Sequence, residues 1–299
     1  MIAPLPRIVV GVVVIAAFFA LSPSYGGALS CHYEVMLYGP RVIDVAVFGT
    51  SRIARGFDSR QFSDAVAAAR GRRPVVANLA RGGYDWGQQY VLIRDLLHRA
   101  AVETIILEAN FQASAAAPHP IENGLRLADI WNDELEVQDG ALLSRLSDGL
   151  RRSFYWTLRS TRNAAETFAR RLWGRNEARE GCDQAAAPVL FGASTSLSSE
   201  SPAPAVASPR DLYYLARIAR LAARQGSHIL LAHFPERNEP PAAVAIVETA
   251  AKSVGLSVNE PPPALENLLD DRGFAGQRHV NAIGRGELTA WLANCYVAQ

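Results

Sequence analysis

What the chain lacks sets the first limits on what it can be. Its 30 Lys and Arg face 29 Asp and Glu, for a net charge of +1, so no global excess selects nucleic acid or an acidic partner. Cysteine is scarce: Cys31, Cys182 and Cys295 are the three present, an odd number whose spacing matches no metal motif. In an oxidising compartment one pair can close a disulfide, Cys182 with Cys295 if the fold brings them together; three unpaired thiols are the alternative. No metal and no cofactor is expected. Long apolar runs are short too: the strongly apolar stretch 8–21 falls below the roughly 20 residues of a spanning helix.

That stretch nevertheless dominates the N-terminus. Arg7 precedes it, and no charged side chain follows until Glu34. Counted through its weakly polar continuation to Leu29, it is long enough to cross a bilayer. The basic residue before it keeps the N-terminus cytoplasmic and exports the remainder. A cleaved signal peptide is the rival reading, with small residues such as Ala28 and Ser30 for a peptidase. Lipid attachment at "ALSC" fits less well, because the apolar core ends too far upstream. The expectation is therefore a membrane anchor or signal segment over 1–30, read as one N-terminal transmembrane helix, and a globular domain over 36–299.

From residue 42 short apolar runs alternate with helical stretches. "VIDVAVFG" (42–49), "PVVANLA" (74–80), "ETIILEAN" (103–110) and "SHILLAHFP" (227–235) read as buried strands. Between and after them come helices: Phe57 to Ala69 opened by Asp58 or Ser59, then 85–100, 208–226, 241–256 and 284–296. On the second of these, Tyr90, Ile93, Leu96 and Leu97 share one face. Strand and helix in alternation mean βαβ units. The expected fold is α/β, a three-layer α/β/α domain with a mostly parallel, flavodoxin-like sheet.

Residues 112–207 interrupt this pattern as an insertion. Its segment 139–173 is helical in pattern and carries seven arginines with Phe154, Tyr155 and Trp156 at its centre. It suits a membrane surface or a partner, or else a solvated cover helix with its aromatics in the core. The Ala/Ser/Pro-rich stretch 184–209 reads as a loop.

In an open parallel sheet, ligands bind beyond the carboxyl ends of the strands. Three runs end there in "GTS", "NLARGG" and "EAN". A serine at a sharp strand-to-helix turn exposes its hydroxyl and leaves its backbone N–H to stabilise an oxyanion. Ser51 is that serine, unless it only caps the helix. Gly83 admits close backbone approach, and Asn110 offers a side-chain donor; Asn78 and Gly83 can equally just shape a turn, and Asn281 a loop. A hydroxyl needs a base. Of six histidines, His279, in a loop before the last helix, and His233, at a strand end, are placed for it. Arg52 and Arg55 can clamp a phosphate or carboxylate on the substrate, or simply pair with Asp58 or Asp44.

"VFGTSR", "NLARGGY", "EAN" and "HVNAIG", in this order and spacing, resemble the four sequence blocks of the SGNH (GDSL-like) hydrolase superfamily. The resemblance is to its membrane-anchored bacterial branch, similar to the D-alanyl-lipoteichoic acid transfer protein and relatives in envelope polysaccharide modification. It covers 42–112 and 208–296 but not the insertion. It implies Ser51 as nucleophile, His279 as base, and an oxyanion hole from the Ser51 N–H, Gly83 and Asn110. Two departures stand out. The family's orienting aspartate, three residues before the histidine, is Gly276 here; Asp270 and Asp271 are near but out of register, Asp271 being the candidate substitute. "EAN" also lacks the glycine and aspartate that flank the block's asparagine.

Two functions from different classes follow. One is an extracytoplasmic serine esterase or O-acyltransferase, with an acyl group, often acetyl in such systems, taken by water or by a hydroxyl of an envelope polysaccharide. It would sit as a single-pass protein of a bacterial inner membrane, its domain periplasmic. The other is a catalytically weak or inactive accessory protein that binds such a polymer or a membrane-bound O-acyltransferase. Nucleic acid is not an expected partner of either.

Overall fold

Five strands form one all-parallel sheet in the order β2-β1-β3-β4-β5. The computed structural model describes residues 39–81, 86–109, 207, 209–237, 239, 241–276 and 278–299. All of these belong to the unit made of Gly39–Ala117 and Arg179–Gln299. The segment 1–30, read as an anchor or signal segment, and, apart from Ala207, the residues 112–207 read as an insertion lie outside the described residues, as do Cys31 and Cys182. No described helix is long and apolar enough to cross a membrane. Cys295, half-buried, is a free thiol.

β1 (Val42–Phe48) is buried along all but its first residue, as a parallel strand covered on both faces must be. Its single charge, Asp44, is satisfied: the carboxylate accepts the Val75 N–H at 2.6 Å and pairs with Arg72 at 2.9 Å. From β1 the chain passes through α1 (Ser51–Gly56) and α2 (Ser59–Arg70) to the edge strand β2 (Val76–Asn78). Asp58 caps α2 by accepting from the backbone N–H groups of Arg60 and Gln61, and Gly71 closes it at φ 71°.

After α3 (Trp86–Arg99) the chain returns past β1 to β3 (Ala101–Glu108). That reversal makes the carboxyl ends of β1 and β3 the switch point at which open α/β sheets bind ligands. α4 (Pro209–Gln225), β4 (His228–Ala232), α5 (Pro241–Ser253) and β5 (Val258–Asn259) extend the sheet in the same direction. α6 (Pro263–Leu268), a π-helical turn (Leu269–Gly273) and α7 (Ala282–Val297) complete the fold.

Right-handed crossovers place α1 and α2 on one face and α3 and α4 on the other. α7 joins the first group, packing on α2 and α1, while α3 packs on α4. Under α7 the core stacks Phe57, Phe62 and Tyr296, with ring centroids 5.2 and 5.6 Å apart, against Val45 and Val47. Each such buried ring contributes about 1.5–3 kcal/mol.

Several expected elements differ in detail. The helix read from Phe57 to Ala69 is α2, running Ser59–Arg70 with Asp58 as its cap, while α1, a separate turn and a half before it, was not among the helices read. The strand read over 74–80 pairs only over Val76–Asn78. β5 and α6 were not anticipated.

Candidate active site

The turn after β1 is built around a glycine and a buried carboxylate. Gly49 sits at φ +153°, and a side chain there would collide with Ile53 and Glu108. Thr50, not Ser51, caps α1, accepting the Arg52 N–H on its hydroxyl oxygen at 3.3 Å. Ser51 is the first helical residue, half-buried, and its hydroxyl is left for another partner.

Glu108 ends β3 with no exposed surface. A carboxylate there must be satisfied by donors, and three converge on it. The Thr50 N–H donates at 2.6 Å, the Thr50 hydroxyl at 2.9 Å and Arg52 Nε at 2.8 Å. Glu108 thus grips the residues on both sides of Ser51. It was missed in the sequence, although a carboxylate closing the apolar run "IILE" is the signal that marks it.

The partner of Ser51 is His279. Its Nε2 lies 2.9 Å from Ser51 Oγ, across 228 residues of chain. With the ring proton on Nδ1, the hydroxyl donates to Nε2, which is the arrangement proton abstraction requires. The loop that delivers the ring is closed by an antiparallel bridge between Phe274 and Val280. Within it Ala275 N–H donates to the His279 carbonyl, and Asn281 N–H to that of Gly273, each at 2.8 Å. Asn281 Oδ1 caps α7 through Ile283 and Gly284, while its Nδ2 donates to the Arg272 carbonyl at 2.7 Å. Asn281 therefore shapes the loop and starts the helix. Val280 packs beside Gly56, where an added methyl would stand 3.4 Å from it, so the loop rests directly on α1.

Burial holds the His279 imidazole below its ordinary pKa. The guanidiniums of Arg55, Arg278 and Arg52 add to this, and Glu108 opposes it. The ring is therefore neutral to lower pH than a free histidine.

Arg52 is buried and pairs with Glu108 and with Glu236, at 2.8 and 3.4 Å, rather than with Asp58 or Asp44. Asp58 is occupied as the α2 cap and by Arg285, and Asp44 by Val75 and Arg72. Arg55, one turn beyond Ser51, is half-buried and makes no ion pair among the described residues. Asp270 and Asp271 lie in the π-helical turn, and neither is bonded to His279 among the described residues. Gly276 is exposed, with open space where a side chain would begin.

His233, the other candidate base, is buried with Nε2 on Glu239 at 2.9 Å. Asn78 is buried at the end of β2, its Oδ1 accepting the Ala80 N–H at 3.1 Å. Gly83 and Asn110 lie outside the described residues. Beyond β4 opens a cavity of about 370 Å³, lined by His233, Glu236, Glu239, Glu260, Glu266 and Asp270 among others. It bears negative charge where the approach to His279 bears positive.

No protein-family model matches the chain, and no curated protein matches it in sequence.

Proposed function

We propose that the protein is an extracytoplasmic serine esterase or O-acyltransferase with an SGNH-like three-layer α/β/α domain, acting on acyl, chiefly acetyl, esters of an envelope polysaccharide. The observation that carries this reading is the 2.9 Å contact between Ser51 Oγ and His279 Nε2 at the carboxyl edge of a parallel sheet. The chemistry is acyl transfer in two steps. His279 takes the hydroxyl proton as Ser51 Oγ bonds to the ester carbonyl carbon. The oxyanion is held by the Ser51 N–H and, on the family resemblance, by Gly83 and Asn110. The proton then passes to the departing alkoxide. Water or a glycan hydroxyl, deprotonated in turn by His279, releases the acyl group and restores the serine.

Localisation follows from the N-terminal segment. A retained anchor in a bacterial inner membrane holds the domain where envelope polymers are assembled, within reach of a membrane-bound O-acyltransferase. Arg55, one turn from the nucleophile and in no ion pair among the described residues, is the side chain best suited to an anionic group on the substrate.

A weakly catalytic accessory protein is the second reading. It is favoured by the exposed Gly276 and by the lack, among the described residues, of a carboxylate bonded to His279. Ester turnover separates the two. The full chain in detergent should hydrolyse p-nitrophenyl acetate, and Ser51→Ala should lower the rate by about 10³-fold or more. Equal rates for the two proteins would remove Ser51 as nucleophile and leave the accessory reading.

A further inference from the structure

A chain of charges runs from the nucleophile turn to the base loop. At one end Glu108 accepts both Thr50 donors and Arg52 Nε, all within 2.9 Å. Arg52 Nη1 then reaches Glu236 Oε1 at 3.4 Å, and the same oxygen is 3.4 Å from Arg278 Nε. Thr50 and Arg52 flank Ser51, and Arg278 precedes His279. Each end of the chain is therefore one peptide bond from a reacting side chain. Glu236 is fixed in its turn: its N–H donates to Glu239 Oε2 at 2.9 Å, the oxygen that also meets His233 Nε2.

Ser51 and His279 come from opposite ends of the domain; Val280 rests the base of the loop on α1 beside Gly56, and the ring itself stands nearer the loop's exposed tip. In the family this chain resembles, an aspartate at the position of Gly276 would orient the ring. Here that position is exposed and carries no side chain. Glu236 meets the need from the other direction. Its side chain is 14% exposed, and its carboxylate stands between two guanidiniums, one already paired with Glu108, and offsets their mutual repulsion beside the imidazole.

We propose that Glu108, Arg52, Glu236 and Arg278 form the positioning device that keeps Ser51 and His279 in register, with Glu236 as its joint. This rests on reading Ser51 and His279 as the esterase pair. In an esterase, misplacement of reacting groups by even 1 Å can cost about 10²-fold, so a joint that holds them has a large kinetic effect and a small thermal one.

The test uses the full chain and Glu236→Gln, which keeps the shape and removes the charge. With p-nitrophenyl acetate, kcat should fall about tenfold while KM stays within about twofold, the mark of lost transition-state alignment. Arg278→Gln should do the same, and the double variant should be no worse than either alone, because both open one joint. The melting temperature should hardly move. Alongside, an NMR titration of the His279 ring reads the network without needing turnover. The charges facing that ring are Arg52 and Arg55 from α1, Arg278 from its own loop and Glu108 from β3. Glu236→Gln removes the carboxylate that Arg278 and Arg52 share, leaving Arg52 only Glu108, and should lower the ring's pKa further.

If turnover depends on Ser51 but neither kcat nor the titration responds, or if the two losses simply add, the positioning device is overturned. If the titration moves while the wild type and Ser51→Ala turn over alike, the network stands and the esterase reading falls. If turnover does not depend on Ser51 and the titration is also unmoved, both fall.

Discussion

The turn that carries Ser51 and the loop that carries His279 meet at 2.9 Å, yet they are held by different means. The turn is fixed from within. Gly49 supplies a backbone conformation and a clearance that other residues lack, Thr50 caps α1, and a fully buried Glu108 grips the residues on either side of the serine. The loop is fixed at its base, by the Phe274–Val280 bridge and the two-way hydrogen bonding of Asn281. Its tip is looser: Gly276 is exposed, and Arg278 is 59% exposed. A serine set in a rigid turn thus faces a histidine whose ring gets its orientation from longer contacts. Fold stability and activity should accordingly respond to different mutations.

The largest effect should come from the loop and be purely kinetic. His279→Gln removes the proton acceptor, and general base catalysis contributes about 10²–10⁴-fold, so turnover should fall by that factor. The fold should survive, because the ring is half-buried in a loop anchored by other residues. His233→Gln is the contrast. Its ring is 1% exposed and bonded to Glu239, so it should lower the melting temperature while Ser51-dependent turnover remains measurable. The reverse outcome would move the base to β4 and break the comparison.

The turn should give the opposite signature. Gly49→Ala places a methyl into Ile53 and Glu108 at a backbone φ of +153° that side chains rarely adopt. Overpacking of this kind costs about 1–3 kcal/mol, and strained φ values add to it. Thermal or denaturant unfolding should show the loss directly. Unchanged stability would mean that the turn is softer than its packing implies.

Much of this architecture was legible in the sequence, and what was not has a physical reason. β1, β3 and β4 are runs of apolar residues with clear stops, and α2, α3, α4, α5 and α7 carry caps or helical periodicity. β5 is two residues long and α6 six, opening on the third of three consecutive prolines, so neither has enough residues to show a period. Ser51 and His279 were visible as a serine after a strand and a histidine before a helix. Glu108 was not, because its donors lie 56 and 58 residues away and only the pairing of β1 with β3 brings them to it. The partners of Arg52 could not be read either. They lie 56 and 184 residues away, and only the closing of the sheet brings them to it, whereas Asp58 is taken up as the α2 cap and Asp44 by Val75 and Arg72.

The smallest expected effect is also the sharpest test of the looser half of the site. The proposed mechanism needs neutral His279, and burial together with Arg55, Arg278 and Arg52 holds its pKa below the ordinary value. Activity should therefore be fully present above that lowered pKa and be lost as pH falls through it, so the acid limb of kcat/KM should lie below the usual histidine value of about 6.5. Gly276→Asp should move it. A side chain at this position would begin in open space, and its φ lies outside the left-handed region that favours glycine. An aspartate there, three residues before His279, brings a negative charge toward a ring now surrounded mainly by positive ones. Favouring the imidazolium raises the pKa, so the acid limb should shift upward by about one unit, equivalent to about 1.4 kcal/mol. The same charge stabilises the imidazolium formed when Ser51 gives up its proton, so kcat on the plateau should rise as well. A limb that shifts without a gain in kcat would mean that the ring is already well oriented by the Glu236 joint. A limb that does not shift would mean that the loop tip points the new carboxylate into solvent, away from the ring.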